Sequence, residues 1–261
     1  MSARATPATR ALPDLARYAL SLGDDALVLS HRCAEWIAHA PELEEDVALA
    51  NIGLDLLGQA RMLLTYAGEV EGAGRDEDDL AYLREERDVL NVQLVELPNG
   101  DFAVTMARLL VFSAYAQALY RRLERSADER LAAVAGKAVK EVSYHLEHAS
   151  SWVIRLGDGT PESHRRMQAG LDAVWPYVPE LFDGSWVPEG LLEDGVAVDP
   201  ASLRAEWEHT VTPVVSAATL AVPEPSRRLP LGGRDGVHTE HLGYLLAEMQ
   251  HLHRSHPGAS W

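Results

Sequence analysis

The chain has 261 residues, 47% of them apolar, with 40 acidic against 23 basic side chains and a formal net charge of −17. That length can bury a sizeable core in one domain. A negative field of that size disfavours nucleic acid, anionic membrane and phosphate-bearing ligands. The single cysteine, Cys33, excludes an intrachain disulfide and fits a reducing, cytoplasmic setting.

Alanine and leucine dominate the apolar residues and favour helix, and strand formers never alternate in runs, so the composition points to an all-α protein. Residues 1–12 lack the apolar centre of a signal peptide and read as a disordered leader. No uninterrupted apolar run approaches the ~20 residues a membrane-crossing helix needs. The remainder, 13–261, reads as one helical domain. Pro13 and Asp14 open a first helix over 14–39 that stops before Pro41. A second long helix covers 42–67, with Gly68, Gly72 and Gly74 at its end. A short helix follows near Leu80 to Arg87. The stretch 88–100 is ambiguous between an extended buried connector and a helical turn.

Asp101 is an N-cap for a third long helix over 101–125, and Asp128 caps a fourth over 128–156. Thr160-Pro161 and Asp199-Pro200 are cap-plus-proline signals that start two shorter helices, the first interrupted at Pro176 and Pro179. A loop rich in Pro, Gly and Arg spans 222–237, and a last helix runs from His238 to about Ser255. Four long helices followed by shorter ones predict a four-helix bundle core with additional C-terminal helices.

Several polar residues fall on faces this pattern turns inward. Asn51, Asp55 and Gln59 share one stripe of the second helix, whose remaining surface is almost all leucine and isoleucine and is therefore expected to be buried. A buried Asp55 needs a hydrogen-bonding partner, a cation or a metal. Glu141, His145, His148 and Trp152 share a face of the fourth helix, and Glu35 stands among apolar residues of the first. Inward carboxylates and histidines on long helices are what a carboxylate-bridged di-iron site uses, but that site takes a Glu-x-x-His string from each of two helices. Here Asp55 is followed three residues on by Gly58, and His145 is preceded by Val142. Intact strings occur only at Glu206–His209 and Glu248–His251, on late helices, and two is little more than chance spacing produces; they read as surface or interface pairs. His251, His253 and His256 suit a helix C-terminus, and His31 and His39 read as ordinary helix residues. Cys33 reads as a buried structural thiol.

The strings LGDDALVLSHRCAEWIAHAPELEEDVALANIGLDLLGQAR, VELPNGDFAVT, KAVKEVSYHLEHASSWVIRLGDGT, VAVDP and HTEHLGYLLAEMQ resemble the PaaC family, over nearly the whole chain. PaaC is the second ferritin-like subunit of bacterial phenylacetyl-CoA epoxidase. The resemblance implies a ferritin-like fold and a non-catalytic, structural role in a complex that forms the ring-1,2-epoxide of phenylacetyl-CoA with oxygen and reducing equivalents. It implies as partners a PaaA-like catalytic subunit with the di-iron centre, a small bridging subunit and an NADPH-dependent flavin and iron–sulfur reductase. Contact through the first two helices, and a homodimer when the chain is alone, are further expectations. Laid against the catalytic relative's pattern, Glu35 falls at the first helix's ligand, Asp55 and Gly58 at the Glu and His of the second, and Val142 and His145 at those of the fourth; Gln117 is a position for the third. The expectation is a degenerate remnant, hydrogen-bonded with Asn51, Gln59 or Lys137, with no metal or other cofactor in this chain. The alternative is a self-sufficient di-iron oxidase or oxygenase using Glu35, Asp55, Glu141, His145 and His148.

Overall fold

The computed structural model describes residues 12–224 and 232–259. Of the expected leader, residues 1–11 lie outside the described residues; Leu12 is half-buried and packs on the core.

Helix α1 (Asp14–Ala34) pairs with α2 (Leu43–Glu71), and α5 (Phe102–Leu123) pairs with α6 (Glu129–Gly157). The α2 and α6 helices close the bundle between the two hairpins. Between the pairs come α3 (Glu77–Tyr82) and the one-turn α4 (Gln93–Glu96). After them come α7 (Pro161–Val174), α8 (Glu189–Glu193), α9 (Arg204–Ala217) and α10 (Glu240–Ser255). No strand occurs among the described residues, as the composition predicts. The α5 helix is apolar nearly all round and buried along almost its whole length, as a central helix must be. It packs on α6, α7 and α9, and Trp207 on α9 donates its indole N–H to the carbonyl of Val111 at 2.9 Å.

The caps read from sequence act as expected. Asp101 accepts from Val104 N, Asp128 from Leu131 N and Thr160 from Ser163 N, each answering an orphan amide of a first turn. Two long-helix ends differ. The first helix stops at Ala34 rather than at 39, because Ala38 takes a left-handed φ of +67° and Asp46 on the next helix accepts its amide hydrogen. The second continues past 67 to Gly72, whose φ of +67° makes the left-handed cap. Gly68 does not end the helix; a β-carbon there would lie 2.2 Å from the carbonyl oxygen of Arg75, so only glycine admits the returning loop.

The second helix also differs in exposure. Leu43 is 75% exposed and Leu54 65%, with Val47 and Leu57 exposed beside them. These residues recur along one side of α2, so the helix is not buried all round. By length and composition alone α2 and α5 are each long and apolar enough to cross a membrane, although neither holds an unbroken apolar run. The apolar stretch of α5 is 83% buried within the fold and that of α2 50%.

The ambiguous stretch resolves as an extended connector with the single turn α4 in it. Its backbone cannot satisfy itself in a ladder, so side chains do it. Asp24 and Asp25, adjacent on α1 and both buried, accept the amides of Leu90 and Val92 at 2.8 Å each. Glu180 accepts those of Gln93, Gly232 and Gly233. Each carboxylate has a cation or a set of N–H donors: Arg84 forks onto both oxygens of Asp24, and Arg234 onto both oxygens of Asp25 while also donating to the carbonyls of Ser21 and Leu90. Glu96, fully buried, accepts from Asn91, from His238 and from the Thr239 amide. His238 places Nδ1 2.8 Å from Glu96 Oε2 and Nε2 2.8 Å from the carbonyl of Val89. Two oxygen partners, one on each ring nitrogen, favour the doubly protonated ring, which can donate to both. Burial opposes that charge, but the Glu96 bond and charge outweigh it and hold the His238 pKa above its ordinary value.

Candidate functional site

Asp55 and Gln59 of the second helix and Glu141, His145 and His148 of the fourth fall in a seam where α2 and α6 pack. Running antiparallel, the helices stack these contacts in successive turns. Asp55 Oδ2 lies 3.1 Å from His145 Nε2. One turn on, Gln59 Nε2 donates to Glu141 Oε2 at 3.0 Å, and Lys137 Nζ lies 3.6 Å from Glu141 Oε1. His145 is 2% exposed and Asp55 36%. Asp55 is therefore at the mouth of the seam rather than in the core, because the side of α2 that carries it is open to solvent. The carboxylate can only accept, so His145 donates its Nε2–H. Burial, the largest influence, pulls the His145 pKa below its ordinary value against the raising influence of Asp55, which keeps the ring neutral near pH 7.

Toward the start of α2, His148 Nε2 approaches Glu45 Oε2 to 3.3 Å. The distance is that of an ion pair, but the atoms are not aligned for a hydrogen bond, and both are buried without a hydrogen-bond partner. Burial lowers the His148 pKa as well, with Glu45 acting against it. The Tyr144 ring, half-exposed on the surface, lies near both histidines.

The other residues fall elsewhere. Glu35 is a correction: it follows the end of α1, pairs with Arg32 at 2.6 Å and accepts from Asn99 at 2.9 Å. Its carboxylate is engaged by Arg32 and Asn99 instead of joining Asp55 and His145. Gln117 is nearly buried on α5 and donates to Ser143 at 3.0 Å. Asn51 is exposed and stands outside the hydrogen-bonded seam. Val142 is a core residue. Cys33 is fully buried, and burial pushes its thiol up to about 12, which makes it inert. Glu206 bridges Arg121 and Arg122 near the surface, and His209 is exposed. His253 stacks on Tyr82 with ring centroids 4.8 Å apart. His39 lies beyond the first helix rather than in it. Sequence reading missed Glu45 as the neighbour of His148, and missed the whole Asp24, Asp25, Glu96 and Glu180 network. The adjacent carboxylates inside the apolar string LGDDALVLS are the signal that points to it.

These donors do not fit a dinuclear iron centre. Such a centre needs several anionic oxygens to offset the desolvation of two hard cations. The seam offers Asp55 and Glu141 one turn apart, a glycine and a valine at two of the required places, and a lysine beside Glu141. Among the described residues no three His, Cys, Asp or Glu side chains converge closely enough to hold one metal ion.

Fold and seam together define an all-α protein with a four-helix core and a polar inter-helix seam, flanked by an exposed apolar face. The chain matches the model of the phenylacetic acid catabolic protein family over residues 1–261 and belongs to that family. It is similar to the C component of the 1,2-phenylacetyl-CoA epoxidase of Escherichia coli strain K12, with 52% identity over 247 residues, covering 95% of this chain and 99% of that protein.

Proposed function

We propose that this chain is the structural, docking subunit of a cytoplasmic, multicomponent phenylacetyl-CoA 1,2-epoxidase of ferritin-like architecture. It carries no cofactor of its own, and the di-iron chemistry belongs to a homologous catalytic partner. A small bridging subunit and an NADPH-dependent reductase complete the assembly. The similarity to one component of such an epoxidase, over nearly the whole of both chains, supports the complex, and the donor set of the seam supports a role without metal.

The observation that carries the docking role is the face of α2. Leu43, Val47, Leu54 and Leu57 stand exposed along it, spread over about 21 Å of helix, and Tyr144 of α6 is exposed near the seam they flank. A linear apolar stripe on one helix is the surface another helix packs against. A contiguous apolar face with a polar surround marks an interaction site.

Two measurements test this reading. Elemental analysis of the chain expressed alone in iron-rich medium should find iron far below stoichiometric. Two irons per chain with an oxygen-dependent optical band would instead support the self-sufficient oxidase. Co-expressed with the catalytic partner, the chain should co-elute on a sizing column. The Leu54→Glu/Leu57→Glu variant should bind its partner at least about a hundredfold more weakly, a hot-spot-sized loss. Its own stability should move by no more than ~0.5 kcal/mol, because both side chains are exposed. An undiminished complex would remove α2 from the interface.

A further inference from the structure

The disagreement between the seam and a metal centre has a positive side: a charge of the protein's own stands where a ligand is missing. Gly58 lies on α2, three residues beyond Asp55. A β-carbon built there would have one neighbour within 4 Å, the ammonium nitrogen of Lys137 at 3.9 Å. A longer side chain at position 58 directed toward α6 would therefore meet that ammonium. Lys137 is held there by Glu141, whose Oε1 lies 3.6 Å away, while Glu141 Oε2 accepts from Gln59. The Glu141 carboxylate thus spans a neutral donor and a cation, and Asp55 beside it faces the neutral imidazole of His145.

We propose that the Lys137 ammonium is the resident cation of the α2–α6 seam. It stands in contact range of a side chain at 58, and supplies to Glu141 the positive charge that a metal ion would otherwise bring to that carboxylate. Glycine at 58 and lysine at 137 go together: the glycine leaves the ammonium uncrowded, and with the ammonium present a divalent cation meets a like charge at close range. Lysine suits this role because its charge is compact and its stem long enough to reach the seam from a position 58% exposed to solvent.

The inference rests on the reading of the seam as a non-metal site, and cobalt(II) titration separates the two. The probes are cobalt d–d absorption and equilibrium dialysis. Gly58→His restores Asp55-x-x-His on α2 at a half-exposed position, and Lys137 is exposed enough that its variants should fold. Wild type and Lys137→Gln should show no saturable cobalt binding. Gly58→His should bind weakly. Gly58→His/Lys137→Gln should bind one cobalt at least about tenfold more tightly, because the repelling charge is gone. Gly58→His/Lys137→Arg, which keeps the charge, should stay as weak as Gly58→His. Equal binding by the Gln and Arg double variants, or no site in either, would overturn the role of the ammonium while leaving the non-metal reading intact. Stoichiometric cobalt on the wild type would overturn both.

Discussion

Two polar regions of this protein treat charge in opposite ways. Around the connector between α3 and α5, Asp24, Asp25, Glu96 and Glu180 are buried together with Arg84 and Arg234, and every carboxylate has donors on it. In the α2–α6 seam, Asp55 is 36% exposed, its partner His145 is neutral, and the buried atoms of Glu45 and His148 lack hydrogen-bond partners. The first region cannot relax, because removing any member strands a buried charge or a backbone amide in low dielectric. The second can, because water reaches its mouth. Carboxylates in the interior are thus structural here, and those that resemble a metal site are the loosely held ones.

The largest expected effect breaks the first region. Asp24→Asn removes the charge facing the buried Arg84 guanidinium and should cost ~3–5 kcal/mol in urea denaturation. The double variant Asp24→Leu/Arg84→Leu should recover little of this, because the amide of Leu90 and the carbonyls of Leu80 and Asp88 lose their side-chain partners as well. Full recovery would mean that the pair is dispensable and the comparison false.

A smaller effect depends on pH. His238 has a folded pKa above the ordinary value. Its contribution is therefore fully present below the unfolded value of about 6.5 and is lost as pH rises through the folded pKa. The stability gap between wild type and His238→Gln should be ~1–3 kcal/mol near pH 6 and shrink by pH 9. A gap that widens with pH would show the ring to be neutral. His145 and His148, with lowered pKa values, act with the opposite sign: their contribution is lost as pH falls below about 6.5.

The smallest effect sharpens the contrast. Asp55→Asn keeps an acceptor for the His145 N–H at the solvent-exposed mouth, and should change stability by only ~0–1 kcal/mol in the same denaturation assay. A loss comparable to that of Asp24→Asn would place both regions in one class.

Helix-level order is legible in the residues themselves. Asp101, Asp128 and Thr160-Pro161 announce helix starts, because a side-chain oxygen near the first amides is a local requirement met within a few residues. The meeting of Asp55 with His145 is legible too, since each lies on a polar stripe of a long amphipathic helix. Glu35 is misread from sequence because one of its partners, Asn99, lies 64 residues away in the connector; the helix end is misread because it depends on a left-handed Ala38 and on Asp46 of the next helix. The second helix reads as buried because leucine content says how much surface wants to leave water, not which side finds a partner.

The sequence by itself determined the all-α class, the four long helices and the shortage of metal donors, since propensity, capping and residue identity are local properties. Only the tertiary structure decided which polar residues are sealed and which stand open. It brought Arg234 to Asp25 and His238 to Glu96 across 209 and 142 residues, and left one flank of α2 uncovered. Burial and pairing are relations between distant segments, and the dielectric that sets the cost of a charge exists only once those segments have packed.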